Sequence, residues 1–339
     1  MLKKTTVPLA LAVTAGLATP VQASEEVNVH TIRHHDGHQA LFDAFTEQTG
    51  IAVNVQEVEF DTLLDGTAAE EGADLARVVD ATRFMMVDEA GLFTPTYSAL
   101  LDARVPEHQR HPEGEWYGTS TRARIFFVNP DEIDPESELT YADLADPRFE
   151  GQVCIRSSEN FYNQSLLASI IAHEGSEAAE AWAQGVVDNM AREPEGGDTD
   201  QIRGVAAGDC NIAVANHYYY ARLLDSDDAE NREAAGNVTP LFPEQGDEGR
   251  GTHVNVGGFG VVEGAPNRDN ARRLLEFMVA APAQRQLVSS SFEYPVVPGI
   301  EPREEVEGMG EFRADNLSIG RVMSNIEEAR EIFERVGWQ

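Results

Sequence analysis

Strand and helix patterns alternate along most of the chain, which predicts an α/β protein with helices layered on mainly parallel sheets. The 339 residues are enough for two lobes of ordinary domain size. Two strand-like segments, 119–128 and 253–262, are placed to cross between lobes, as a two-strand hinge with a cleft beside it. Element by element, Val27 and Val29 begin a strand. Leu41, Phe42 and Phe45 mark a helix face, and Ile51, Val53 and Val55 alternate as a half-buried strand. Leu166, Leu167, Ile170 and Ile171 sit at helical spacing, and Ala271, Leu274, Leu275 and Met278 follow the i, i+3, i+4, i+7 rule. A last helix carrying Ile326, Ala329, Ile332, Phe333 and Val336 is expected to dock on a lobe. Stretches rich in proline, glycine and acids at 130–137, 193–200 and 244–251 read as surface loops, and no internal repeat is apparent.

The N-terminus reads as a secretory leader. Lys3 and Lys4 precede an apolar run from Val7 to Ala18, and Val21-Gln22-Ala23 offers small residues for cleavage before Ser24. Residues 1–23 are therefore expected to be removed, leaving an exported protein, periplasmic in a cell with two membranes. No later segment has the length and apolarity of a membrane span. Both lysines leave with the leader, so the formal charge falls from -34 to -36 with 23 arginines against 59 acids. Such a surface repels nucleic acid and anionic lipid and argues against both as partners. It suits high external salt, where screening weakens self-repulsion; a field that funnels cations is the second reading of the same charge.

Cys154 and Cys210 are the only cysteines. An even count in an oxidising compartment favours a disulfide tying together the segments that follow them, with a pair of buried thiols as the alternative. No CxxC spacing suggests a thiolate metal site.

The candidate chemistry lies in Asn216-His217-Tyr218-Tyr219-Tyr220, which follows the apolar run 212–215. Buried phenols each need a partner, and adjacent phenols suit a hard cation such as Fe(III). On a short helix successive side chains point about 100° apart, so all three cannot face one ion, and Tyr220 is assigned to packing. A second cluster, His34-His35-Asp36-Gly37-His38, supports a different class of reading, a secreted zinc hydrolase using His34, His35 and His38. The HExxH motif is absent, however, and Asp36 has the alternative role of capping the next helix. His173 reads as a solvated residue on its helix.

Several segments together resemble the periplasmic ferric-iron-binding proteins of ABC importers, the tyrosine-rich, FutA-like branch. They are Ile32-Arg33-His34-His35, Gly118-Thr119-Ser120-Thr121-Arg122-Ala123-Arg124, Cys154-Ile155-Arg156-Ser157-Ser158 through Tyr162-Asn163-Gln164-Ser165, Asn216 to Tyr219, and Gly257-Gly258-Phe259-Gly260. The resemblance covers nearly the whole mature chain. It implies the two-lobed periplasmic-binding-protein fold of the class II type, with 24–122 in lobe 1, 123–256 in lobe 2, 257–305 returning to lobe 1, and C-terminal helices at 306–339 packed on lobe 2.

It also implies a metal site. Tyr218 and Tyr219 match the paired tyrosine ligands, and Tyr162 the third. In the first lobe the family's Arg-His-Tyr is here Arg33-His34-His35, so a histidine replaces an anionic donor. Three phenolates balance a trivalent ion, with His35 as neutral donor and His34 as a fifth ligand or a support. By resemblance Arg122 lies near the metal, where it holds a synergistic anion such as carbonate or supports the ligands. Arg124, on the same side of its strand, is either a second such group or an arginine paired with acids. Arg222 is a cation that favours phenol ionisation, and Asp80 belongs to the cleft rim. The implied function is capture of Fe(III) and delivery to an ABC permease and its ATPase by a monomeric binding protein, not an enzyme. Alternatives within the class are Fe(II), a small anion or a polyamine.

Overall fold

The computed structural model describes residues 26–32 and 36–339, without the side chains of residues 36 and 37. The leader at 1–23, and His34, His35 and the side chain of Asp36, lie outside the described residues. The strands are β1 (Glu26–Thr31), β2 (Ala52–Glu57), β3 (Leu75–Val79), β4 (Trp116–Val128), β5 (Val153–Cys154), β6 (Ile212–Asn216), β7 (Thr239–Leu241), β8 (Val254–Val261) and β9 (Tyr294–Pro295). They run in the order β2-β1-β3-β8-β4-β6-β5, with β7 and β9 also paired to β4.

The pairing is mixed rather than mainly parallel. β1 lies parallel to β2 and β3, and β5 to β6, whereas β8 and β4 are antiparallel to each other and to their other neighbours. The reason is topological: β4 and β8 traverse the molecule in opposite directions. β4 is buried along all 13 residues. Its first part pairs with β8 up to Ala123, and from Arg124 onward it pairs with β6, so one strand serves two sheets. The glycines of β8 permit this close contact. A Cβ on Gly258 would stand 2.3 Å from the Tyr117 carbonyl oxygen, and one on Gly260 would stand 2.4 Å from the Phe93 ring.

The helical periods behave as the sequence predicts. Leu41, Phe42 and Phe45 of helix Asp36–Thr49 are buried, as are Ala271, Leu274, Leu275 and Met278 of helix Arg268–Met278. In helix Ile326–Val336 the residues Ile326, Ala329, Ile332 and Phe333 are buried, and Ile326, Ile332 and Phe333 contribute roughly 1.5–3 kcal/mol each on burial. That helix packs on helices Phe161–Glu174 and Ser176–Asn189, while helix Ile319–Met323 touches both Phe161–Glu174 and Ala81–Glu89. The C-terminal segment thus spans elements reached through β3 and through β5.

Three local expectations change. Residues 198–200 of the expected 193–200 loop open helix Asp198–Ala207. His173 is not simply solvated, because its Nε2 stands 2.8 Å from the buried Asp315 carboxylate. Asp80 is not on the cleft rim. It is 1 % exposed, has φ of 80°, and caps helix Ala81–Glu89 by accepting from the Thr82 amide. Its carboxylate also accepts from the Asn255 amide of β8 and the Ser165 hydroxyl, and burial raises its pKa.

Candidate metal centre

The site is built from two helix beginnings held by one buried charge. Helix Phe161–Glu174 starts at Asn160, whose side chain accepts from the Asn163 amide. Asn163 in turn donates to the Arg156 and Ser157 carbonyls, which fixes the first turn and with it Tyr162. The second beginning is helix His217–Leu224, directly after β6. Asn216 donates its backbone N–H to Asp198 at 2.7 Å, and its side-chain amide donates to the Tyr218 hydroxyl at 3.3 Å. His217 Nδ1 accepts from the Ala123 amide at 3.1 Å, which pins this helix to β4 where the strand changes partners.

Asp198 is fully buried and holds the arrangement together. Arg124 donates to it at 2.9 Å and reaches Asn216 and Asn163 at 3.2 and 2.7 Å. Arg156 approaches the other carboxylate oxygen at 3.4 Å. Arg124 is therefore committed to a buried network behind the phenols, 5.6 Å from the Tyr162 ring centre, and does not line the cleft. Such a network is costly to break because any member left alone is an uncompensated polar group.

In front of this network the phenols meet. The Tyr218 hydroxyl donates to that of Tyr162 at 3.2 Å, and the Tyr218 and Tyr219 rings lie 4.4 Å apart. Tyr220 turns the other way and packs on Phe127 at 5.3 Å, as the helical angle requires. Burial, then the neighbouring Tyr162 and Tyr219 oxygens, push the Tyr218 pKa well above its ordinary value, with Arg122 pulling against them. Tyr219 is pushed up to about 12, first by burial and then by Tyr162. Without a cation these groups are neutral phenols.

The three tyrosines line a cleft of about 410 Å³ together with Arg77, Arg83, Arg122, Arg156, Arg222, Glu159, Glu293 and Ile32. Arg122 pairs with buried Glu293 at 2.9 Å. Burial alone would raise Glu293, but Arg122 and Arg77 outweigh it and hold the pKa at about 2. Arg222 lies over both phenols, 4.9 Å from the Tyr218 ring and 5.8 Å from that of Tyr219. Arg77, Arg83 and Glu293 were absent from the sequence expectations. The available signal was a charge inside an apolar run, in Leu75-Ala76-Arg77-Val78-Val79 and in Phe292-Glu293-Tyr294-Pro295-Val296. His38, invoked for the zinc alternative, is 2 % exposed and packs near Phe42. Cys154 and Cys210 form a disulfide.

Residues 72–309 match the model of the bacterial extracellular solute-binding protein family. The chain belongs to that family. As a solute-binding protein it is 42 % identical over 328 residues to "Iron uptake protein A1" of Synechocystis, covering 96 % of this chain and 91 % of that one. Its fold matches the Trichodesmium FutA structure described as a complex with iron and citrate ligands, with a TM-score of 0.90 and 41 % identity over 93 % of this chain and all of that one. It also matches the ferric iron-binding protein A of Mannheimia haemolytica in an open conformation, with a TM-score of 0.87 and 33 % identity over 92 % of this chain and 98 % of that one. These solute-binding relatives have two lobes around a cleft, and they lend no support to a zinc hydrolase.

Proposed function

We propose that this protein captures Fe(III) in its cleft and delivers it to an ABC permease. The observation that carries the reading is the convergence of Tyr162, Tyr218 and Tyr219 on one polar, arginine-lined cleft. Three phenolates neutralise a trivalent ion and supply the hard anionic oxygens it prefers. His35, with His34 beside it, follows Ile32 of the cleft wall in sequence and completes the donor set from the other lobe. Contacts from both lobes would make the ion favour the closed form.

Five arginines against two carboxylates in the lining leave a positive surplus once the phenolates have neutralised the iron. A cavity of about 410 Å³ also exceeds what one ion needs, since a water occupies about 30 Å³. Both features favour iron accompanied by a small anion, carbonate or a chelating carboxylate, with Arg122 and Arg222 as anion contacts. Lobe 1 comprises residues 24–122 and 257–305, and lobe 2 residues 123–256. The protein works as a periplasmic monomer released from its 1–23 leader, with a permease and its ATPase as partners.

The test is a visible spectrum of the metal-stripped mature protein titrated with ferric citrate, beside the Tyr218→Phe/Tyr219→Phe double variant. The expected result is a phenolate-to-iron charge-transfer band that saturates near one iron per chain and vanishes in the variant. A band of equal strength in the variant, or none in the native protein at any loading, would refute the assignment.

A further inference from the structure

A second cluster of donors lies apart from the cleft and shares no residue with it. Asp88 Oδ, a ring nitrogen of His111 and Glu115 Oε all fall within 4.8 Å of one another, the one such group among the described residues. Asp88 sits in the last turn of helix Ala81–Glu89, and His111 and Glu115 flank the turn that leads into β4. Two features hold these elements together. The turn is closed by the His111 amide donating to the Trp116 carbonyl and the Gly114 amide donating to the His111 carbonyl, each at 3.0 Å. Trp116 is fully buried and stacks on Phe84 at 4.4 Å, and Phe84 stands four residues before Asp88 on the same helix, hence on the same face. The stack sets the helix against the turn and delivers Asp88 to His111 and Glu115.

The electrostatics of the cluster lack a positive charge. Asp88 and Glu115 press together without an arginine in ion-pair range among the described residues; their neighbours are His111 Nε2, 3.7 Å from Asp88, and another acid, Glu113. Two carboxylates and an imidazole thus converge with no arginine among the described residues to balance the acids.

We propose that Asp88, His111 and Glu115 bind a divalent transition-metal ion such as zinc. One imidazole nitrogen and two carboxylate oxygens match zinc, with the remaining position left to water, whereas calcium would need six or more oxygens. Coordination through Nε2 moves the ring proton to Nδ1, so the 3.3 Å contact from the Glu113 amide to Nδ1 gives way; Pro112 and Glu113 are exposed and free to shift. Both sides of the site are regular or hydrogen-bonded backbone, which favours a preformed donor geometry.

The test uses the mature protein carrying Tyr218→Phe/Tyr219→Phe, so that the cleft phenols do not compete for metal, and equilibrium dialysis against zinc chloride. Binding of one zinc per chain is expected, weakened at least about tenfold by His111→Ala and by Glu115→Gln, each added separately. The same two substitutions made with the cleft tyrosines intact should leave the ferric titration unchanged, which shows that the variants are folded. Zinc affinity and stoichiometry unaltered by either substitution, or no zinc taken up at all, would overturn the proposal.

Discussion

Iron loading should expel protons, and the structure sets how many. Tyr219, with a pKa near 12, is ionised in only about one molecule in 10⁵ at pH 7, and Tyr218 lies well above its ordinary value as well. Holding Tyr219 as a phenolate at neutral pH therefore costs about 7 kcal/mol, at 1.36 kcal/mol per unit, which the charge of the ion must offset. Each phenol that becomes a ligand releases one proton. Tyr218 and Tyr219 give two, and Tyr162 adds a third. The affinity should then fall by a factor of about 10² to 10³ for each unit of acidification, or roughly 2.7–4 kcal/mol. Calorimetry at pH 7 in two buffers of different ionisation enthalpy counts these protons, once corrected for the protonation of the ferric chelate supplied. The expected count is about two to three per iron, and about one fewer in Tyr219→Phe. A count below one, or one that Tyr219→Phe leaves unchanged, would show that the phenols are not the ligands.

Three further outcomes follow from buried groups. Burial lowers the pKa of His217 to about 4 and that of His253 to about 3. Both are depressed, so their contribution is intact above the unfolded value near 6.5 and is lost as pH falls from there toward the folded values. Each is worth on the order of 3–5 kcal/mol over that window. Urea midpoints should drop steeply between pH 6.5 and 4, and less so in His217→Gln. Arg124→Met leaves buried Asp198 with only the longer 3.4 Å contact to Arg156 and should cost about 3 kcal/mol by chemical denaturation, with part recovered on adding Asp198→Asn. Reducing the Cys154–Cys210 bridge, which spans 56 residues, should lower unfolding free energy by up to about 4 kcal/mol, measured by urea denaturation with and without reductant.

The parts legible in the sequence were those encoded locally. Helical spacing at 166–171, 271–278 and 326–333 marks faces that are indeed buried, Val336 being half-buried at the end of the last one, and the 100° step separates Tyr220 from its two neighbours. What was illegible depends on partners far along the chain. Arg122 and Arg124 stand two apart and look equivalent, yet Arg122 meets Glu293 in the cleft wall while Arg124 is claimed by Asp198, 74 residues away. Nothing near Asp80 reveals that Asn255 and Ser165 will surround it. The sense of β4 and β8 was unreadable for a similar reason: alternation identifies a strand but not the direction of the strand it will join.

β4 and β8 are bonded to each other as well as to the sheets on either side, and this bears on engineering. β4 pairs with β8 along its first part and with β6 along its second, so truncation within either strand strips interior pairing from its neighbours instead of liberating a free-standing fragment. A reporter module would be better tolerated where the chain leaves the shared sheet for an exposed connection. Asp247 and Glu248, the exposed tip of the connection between β7 and β8, are such a place. A fluorescent insert there would sit one strand away from the crossing and could convert cleft closure into an optical signal.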